Sequence, residues 1–127
     1  MTKHDDTASQ PPPKEASGAA RQFGDFAPAL VGFTDDVLFG QVWTRPELSP
    51  RDRSLVTVAA LATAGNTGQL TYHLGLAQQN GVTVTELTEA ITHLAFYAGW
   101  PRAMSAMAVA RQVLAGHESQ QPEGASR

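Results

Sequence analysis

The 127-residue chain contains no cysteine, which removes disulfides, thiolate metal sites, Cys-x-x-Cys redox pairs and cysteine nucleophiles together. Charge is also scarce: 9 Lys and Arg stand against 12 Asp and Glu, for a formal net charge of -3. That balance is too weak and of the wrong sign for a surface that tracks phosphates by counterion release, so no nucleic-acid partner is expected. No apolar run approaches the roughly 20 residues of a spanning helix, because Gln, Thr, Arg and His interrupt each one, and no membrane partner is expected. Met1-Thr2-Lys3-His4-Asp5-Asp6-Thr7 places acids where a signal peptide carries a cationic patch, which makes a cytoplasmic location the expectation. The length suits a single core.

Composition divides the chain in three. Residues 1–20 are small and polar around Pro11-Pro12-Pro13 and cannot bury enough apolar area to offset chain entropy, so they read as a disordered arm. Residues 116–127 have the same character and read as a disordered tail. The intervening domain, 21–115, holds six Arg (Arg21, Arg45, Arg51, Arg53, Arg102, Arg111) and seven acids (Asp25, Asp35, Asp36, Glu47, Asp52, Glu86, Glu89). This is well under the roughly one charged residue in four of an ordinary globular chain. So much neutral surface on a small domain is most simply accommodated by burying it against further copies, and a homo-oligomer is expected.

The punctuation of this domain is helical. Pro28 opens an apolar stripe through Leu30, Val31, Phe33, Val37, Leu38 and Val42 at three- to four-residue spacing. Ser49-Pro50-Arg51-Asp52 sets an N-cap, a proline at the first helical position and an acid in the first turn, and Gly65 ends that helix. A third helix spans about Thr67 to Asn80 with Leu70, His73, Leu74 and Ala77 on one face. Thr83-Val84-Thr85-Glu86 is a capping box for a fourth, with Leu87, Ala90, Ile91, Leu94 and Ala98 inward. Gly99-Trp100-Pro101 separates it from a fifth. The spacing predicts an all-α bundle of about five helices.

Four histidines are present, two of them (His4 and His117) in the expected tails. His73 shares its face with Leu70, Leu74 and Ala77. Desolvation would keep its ring neutral at pH 7, ready to accept at one nitrogen and donate from the other; a core histidine satisfied by its neighbours fits the spacing as well. His93 has Glu89 one turn before it and Tyr97 one turn after, lining a carboxylate, an imidazole and a phenol along one flank. They form either a proton relay ending in an oxyanion donor or a solvated or interface-facing cluster.

Other constellations are poor. The ligand spacing of di-iron bundles and the His-Glu-x-x-His pattern are both absent, so no metal is expected. Gly65-Asn66-Thr67-Gly68 lacks the following Lys-Ser/Thr of a phosphate cradle. Ser54 and Ser105 lie inside helices without a nucleophile elbow. Arg51 and Arg53 sit at a helix start, where cations oppose the dipole, which suggests a use such as a carboxylate ligand or a partner in a second subunit, with a solvated arginine the plainer reading for at least one of them.

The stretches Arg51-Asp52-Arg53-Ser54-Leu55-Val56-Thr57-Val58-Ala59-Ala60-Leu61, Gln69-Leu70-Thr71-Tyr72-His73-Leu74 and Asn80-Gly81-Val82-Thr83, with Glu86-Leu87, match one family in order and spacing. Its most specific part is His93-Leu94-Ala95-Phe96-Tyr97-Ala98-Gly99-Trp100-Pro101, followed by Ala110-Arg111. Over roughly Phe33 to Leu114 the chain resembles the carboxymuconolactone decarboxylase family. The resemblance implies an alkylhydroperoxidase D-like helical protomer in a ring-like trimer or hexamer, pockets near subunit contacts, and neither metal nor organic cofactor. The peroxidase branch of that fold carries a Cys-x-x-Cys pair where this chain has Asn66 and Gln69, and an acid where it has Ser54, so thiol peroxidase activity is excluded.

The resemblance points to a cofactor-independent lyase acting by proton transfer or decarboxylation on a small unsaturated acid, lactone or quinone-like substrate. His73, His93 and Tyr97 are the candidate catalytic residues, and Trp43, Arg53 and Trp100 the candidate substrate-binding ones, with Arg53 anchoring a carboxylate. One departure bears on the substrate: the family brings a basic residue about three positions after the histidine, where this chain has Leu76. That removes a cation and counts against a dicarboxylic lactone. The alternatives are a catalytically silent relative that binds or scaffolds in a biosynthetic pathway, and an isomerase or cofactor-free oxidative enzyme on a polycyclic substrate.

Overall fold

A computed structural model describes residues 17–119, with side chains through 115; most of the expected arm (1–16, including His4) and of the expected tail (120–127) lie outside the described residues. The chain divides into two units, one ending at Thr44 and the other beginning at Arg45. All regular elements among the described residues are helical.

In the first unit, Ser17 caps α1 (Gly18–Phe23) by accepting from the Ala20 N–H at 2.9 Å, while its hydroxyl donates to Asp35 Oδ2 at 2.9 Å. The expectation of about five helices missed α1, because its cap is held by an acid 18 residues away in a stretch that looks polar and featureless. Pro28 begins α2 (Pro28–Gly32), and the chain then widens into a π-helix, Phe33–Val42. The Trp43 N–H reaches back five residues to the Leu38 carbonyl at 2.9 Å, and Phe39 and Trp43 stack with ring centroids 5.8 Å apart. The apolar stripe read as one α-helix is therefore partly π-helical; three- to four-residue spacing does not distinguish the two.

The second unit contains α3 (Pro50–Ala64), α4 (Thr67–Gln79), α5 (Val84–Ala98) and α6 (Trp100–Ser119). Their ends are set by local chemistry. The Ser49 side chain accepts from the Asp52 N–H ahead of Pro50. Both halves of the Thr83/Glu86 capping box are formed. Gly99 joins α5 to α6 at φ 106°, a backbone region closed to residues with a Cβ.

α3 and α6 pack on each other and each on both α4 and α5, whereas α4 and α5 make little direct contact across them. The core draws Val58 and Ala62 from α3, Leu70, Leu74 and Ala77 from α4, Leu87 and Ile91 from α5, and Ala103, Ala106, Ala110 and Leu114 from α6. The alanine stripe lets α6 approach three neighbours at once, since interaxial distance follows the size of the contact side chains. Each large aliphatic residue sealed here contributes about 1.5–3 kcal/mol.

Candidate functional site

His73 projects from α4 beside three fully buried neighbours, Leu70, Leu74 and Ala77, and is itself half-buried. Its Nδ1 is shielded from solvent, and the Tyr72 ring meets it edge-on with centroids 5.0 Å apart. Burial lowers its pKa from the usual 6.5, so the ring is neutral at pH 7. A neutral ring in such a place can take a proton at one nitrogen and release one from the other.

Ser54 is the fully buried polar residue of α3. Its hydroxyl accepts from Asn80 Nδ2 at 2.9 Å, which ties the first turns of α3 to the end of α4. The serine that stands where the peroxidase branch has its acid thus makes a cross-helix hydrogen bond.

A concavity of about 550 Å³ lies between α3 and α5. Leu55, Ala59, Ala90 and Leu94 give it an apolar floor, and Arg51, Glu86, Glu89 and His93 supply its charged and polar walls. Arg51 donates to Asp52 at 3.0 Å and to Glu86 of α5. The hydrogen bond to Asp52, and then Glu86, hold the guanidinium firmly charged. The Glu86 carboxyl is lowered from its usual 4.5, first by the Thr83 backbone N–H and then by Arg51. The carboxylate partner expected for this arginine therefore comes from its own chain, 35 residues on, and sequence spacing gives no signal for a pair so distant.

The flank read as Glu89–His93–Tyr97 is formed in part. The His93 and Tyr97 rings lie 4.8 Å apart at 32°, whereas Glu89 and His93 make no hydrogen bond to one another among the described residues. Tyr97 is 78% exposed. His93 is thus grouped with Glu86, Glu89 and Arg51 on the α3–α5 side, and His73 does not line that concavity. Trp100 is 57% exposed and meets Phe96 edge-on at 5.3 Å. Trp43 belongs to the first unit, stacked on Phe39.

Two further arginines are fixed by backbone carbonyls. Arg53 Nη2 donates to the carbonyls of Arg45 (3.1 Å) and Leu48 (3.2 Å), ahead of its own helix, and its Nε is buried. Arg102, near the start of α6, donates through Nη1 to the Ala64 carbonyl at 2.8 Å, closing the end of α3. Gly65 lies under this guanidinium at φ 76°, and a Cβ there would run into it. Arg102 has no signature in the sequence, because it acts on a helix end 38 residues away.

A helical unit with a desolvated histidine on its third-to-last helix defines the class, and the comparisons define the family. Residues 28–112 match the carboxymuconolactone decarboxylase family. The chain is 38% identical over 100 residues to a 4-carboxymuconolactone decarboxylase of Acinetobacter baylyi, covering 79% of this chain and 75% of that protein. It is 37% identical over 76 residues to a nitrosuccinic acid decarboxylase of Metarhizium robertsii, covering 60% of this chain and 53% of that protein. The chain belongs to the carboxymuconolactone decarboxylase family, with the all-α fold of that family and a decarboxylase-family, lyase function.

Proposed function

We propose that the protein decarboxylates a small acid whose own structure stabilises the carbanion, with His73 as the proton-transfer residue and with no cofactor. The names of both relatives carry the same chemistry: one substrate is a carboxylated lactone and the other a nitro acid. In each, the carbonyl or nitro group can accept the electron pair left when the carbon–carboxylate bond breaks. The protein then has only to hold the acid, exclude water from the departing carboxylate and supply one proton.

The reading rests on one observation, the half-buried imidazole of His73 set beside Leu70, Leu74 and Ala77 with its Nδ1 shielded from solvent, where burial favours the neutral ring. The carbon–carboxylate bond breaks, CO₂ leaves, and its electron pair passes into the acceptor group. One ring nitrogen hands its proton to the carbanion while the other takes a proton from solvent, so the ring ends neutral and one proton is consumed per CO₂ released. Low charge and the exposed Phe96, Trp100 and Met104 at the α5–α6 junction favour a homo-oligomer, a ring-like trimer or hexamer, with Tyr97 and Trp100 on the face between copies.

His73→Gln keeps the volume and removes the exchange of protons. With the oligomer intact, it should lower turnover of 4-carboxymuconolactone or nitrosuccinate by about 10²–10⁴-fold. Unchanged turnover would end the role of His73.

A further inference from the structure

The three helices of the first unit are short, at 6, 5 and 10 residues, and helices of such length are marginal without packing. None of their residues is buried. Phe26, Leu30, Phe33, Val37, Leu38 and Val42 are all exposed. In the π-helix the i→i+5 register sets residues four and five apart on one side, so the last four of these make a single apolar face. An apolar face of that extent marks a surface that is covered in the working protein. Its surroundings are acidic: the described part of the unit holds Asp25, Asp35 and Asp36 against Arg21. Asp35 accepts from Ser17, whereas Asp25 and Asp36 are exposed and make no ion pair among the described residues.

The second unit presents a surface of the opposite sign. Trp100, Met104, Ala108 and Arg111 recur at four, four and three residues along α6, so they form one strip about 16 Å long at 1.5 Å per residue. All four are exposed, while Ala103, Ala106, Ala110 and Leu114 of the same helix are turned into the core. Among the side chains described on α6, Arg102 and Arg111 carry the charge, and Arg111 makes no ion pair among the described residues. An acidic apolar face and a basic apolar strip thus stand on one chain, each uncovered.

We infer that two copies of this chain exchange their first units, the Phe33–Val42 face of each docking on the Trp100–Arg111 strip of α6 in the other, with the acids of one unit facing Arg111 of the second copy. This rests on the homo-oligomer reading above and is independent of the decarboxylase one. Because each copy presents both surfaces, the exchange is reciprocal and closes on a twofold axis, leaving neither surface open. Apolar burial supplies the affinity, and the opposed charges fix which helix meets which.

The test reverses charge on one surface at a time in the full chain and reads assembly by sedimentation velocity, with circular dichroism showing that each variant is folded. One variant carries Asp25→Arg and Asp36→Arg, the other Ala108→Glu and Arg111→Glu, all at exposed positions. Alone, each sets like charges against one another, and its dissociation constant should rise about tenfold or more. Mixed in equal amounts, the two should recover the parent assembly, because each altered surface meets its opposite on the other chain while the remaining pair is that of the parent. Phe33→Ser with Leu38→Ser, which removes the apolar face without changing charge, should dissociate the parent and gain nothing from mixing.

If either charge-reversed variant alone sediments as the parent does, or if the folded pair fails to assemble on mixing, the exchange is overturned and the homo-oligomer forms through other surfaces. If the mixture stays apart while one chain carrying all four charge changes regains the thermal midpoint of the parent, the first unit docks on α6 of its own chain, which also overturns the exchange. A monomeric parent overturns the exchange and the homo-oligomer reading together and leaves the decarboxylase proposal standing.

Discussion

Asn80 at the end of α4 donates to the hydroxyl of Ser54 in the first turns of α3, 2.9 Å across the helix pair. Ser54 is sealed from water, while Asn80 is only partly covered. The bond is therefore asymmetric: loss of the amide strands a buried hydroxyl, and loss of the hydroxyl leaves an amide that water can reach.

Asn80→Ala should cost about 1–3 kcal/mol, the range for a buried group left without its partner, and Ser54→Ala less than Asn80→Ala. Urea unfolding of the two single variants and the double variant checks the order. A double variant no worse than Asn80→Ala confirms that both changes remove one interaction.

Gly65→Ala should destabilise by about 1–3 kcal/mol, because φ 76° is strained for a residue with a Cβ and because the new atom displaces the Arg102 guanidinium. Adding Arg102→Gln should return part of that cost by removing the group in the way. The thermal midpoints of the two variants and their combination read this directly.

The helix ends at Ser49, Gly65, Thr83 and Gly99 were legible in the sequence because capping and left-handed turns are decided by residues within one turn. The π-helix was not, since an i→i+5 register leaves the same apolar stripe as an α-helix. At the candidate site, the flank His93–Tyr97 could be read because four-residue spacing makes helical neighbours. The closure of Arg51 by Glu86, the turning of Arg53 toward Leu48 and the reach of Arg102 to Ala64 could not. Those contacts depend on which helices pack together, and periodicity is silent on that. Four-residue spacing also suggested a Glu89–His93 pair, yet it secures only proximity: both line the α3–α5 concavity, with no hydrogen bond between them among the described residues.

Acid should weaken the fold in two stages. His73 is lowered from 6.5 by burial, so between its folded value and 6.5 the unfolded chain binds more protons. Stability therefore falls as pH drops through 6.5 and levels off once the folded ring is also protonated. Glu86 is held below 4.5 by the Thr83 N–H and by Arg51, so its contribution is present above 4.5 and is lost as pH falls through the folded value. Denaturant midpoints measured from neutral pH to below 4.5 should show both limbs, with His73→Gln flattening only the upper and Glu86→Gln only the lower.

Phe96 is 74% exposed in the protomer and touches Trp100. Phe96→Asp should shift sedimentation toward smaller species without changing the circular dichroism of the protomer, because charge is placed on a face proposed to meet another copy. An unchanged sedimentation profile would place the assembly surface elsewhere.

The central pair α3 and α6 keeps α4 and α5 largely out of contact. The helix that carries His73 and the helix that carries His93 are thus two outer panels on a common frame. Substitutions on one panel should add to those on the other with little cross-talk, as they do for separated sites. The chemistry proposed for His73 on α4 can accordingly change without disturbing the α3–α5 side, where the Arg51–Glu86 tie holds the frame together.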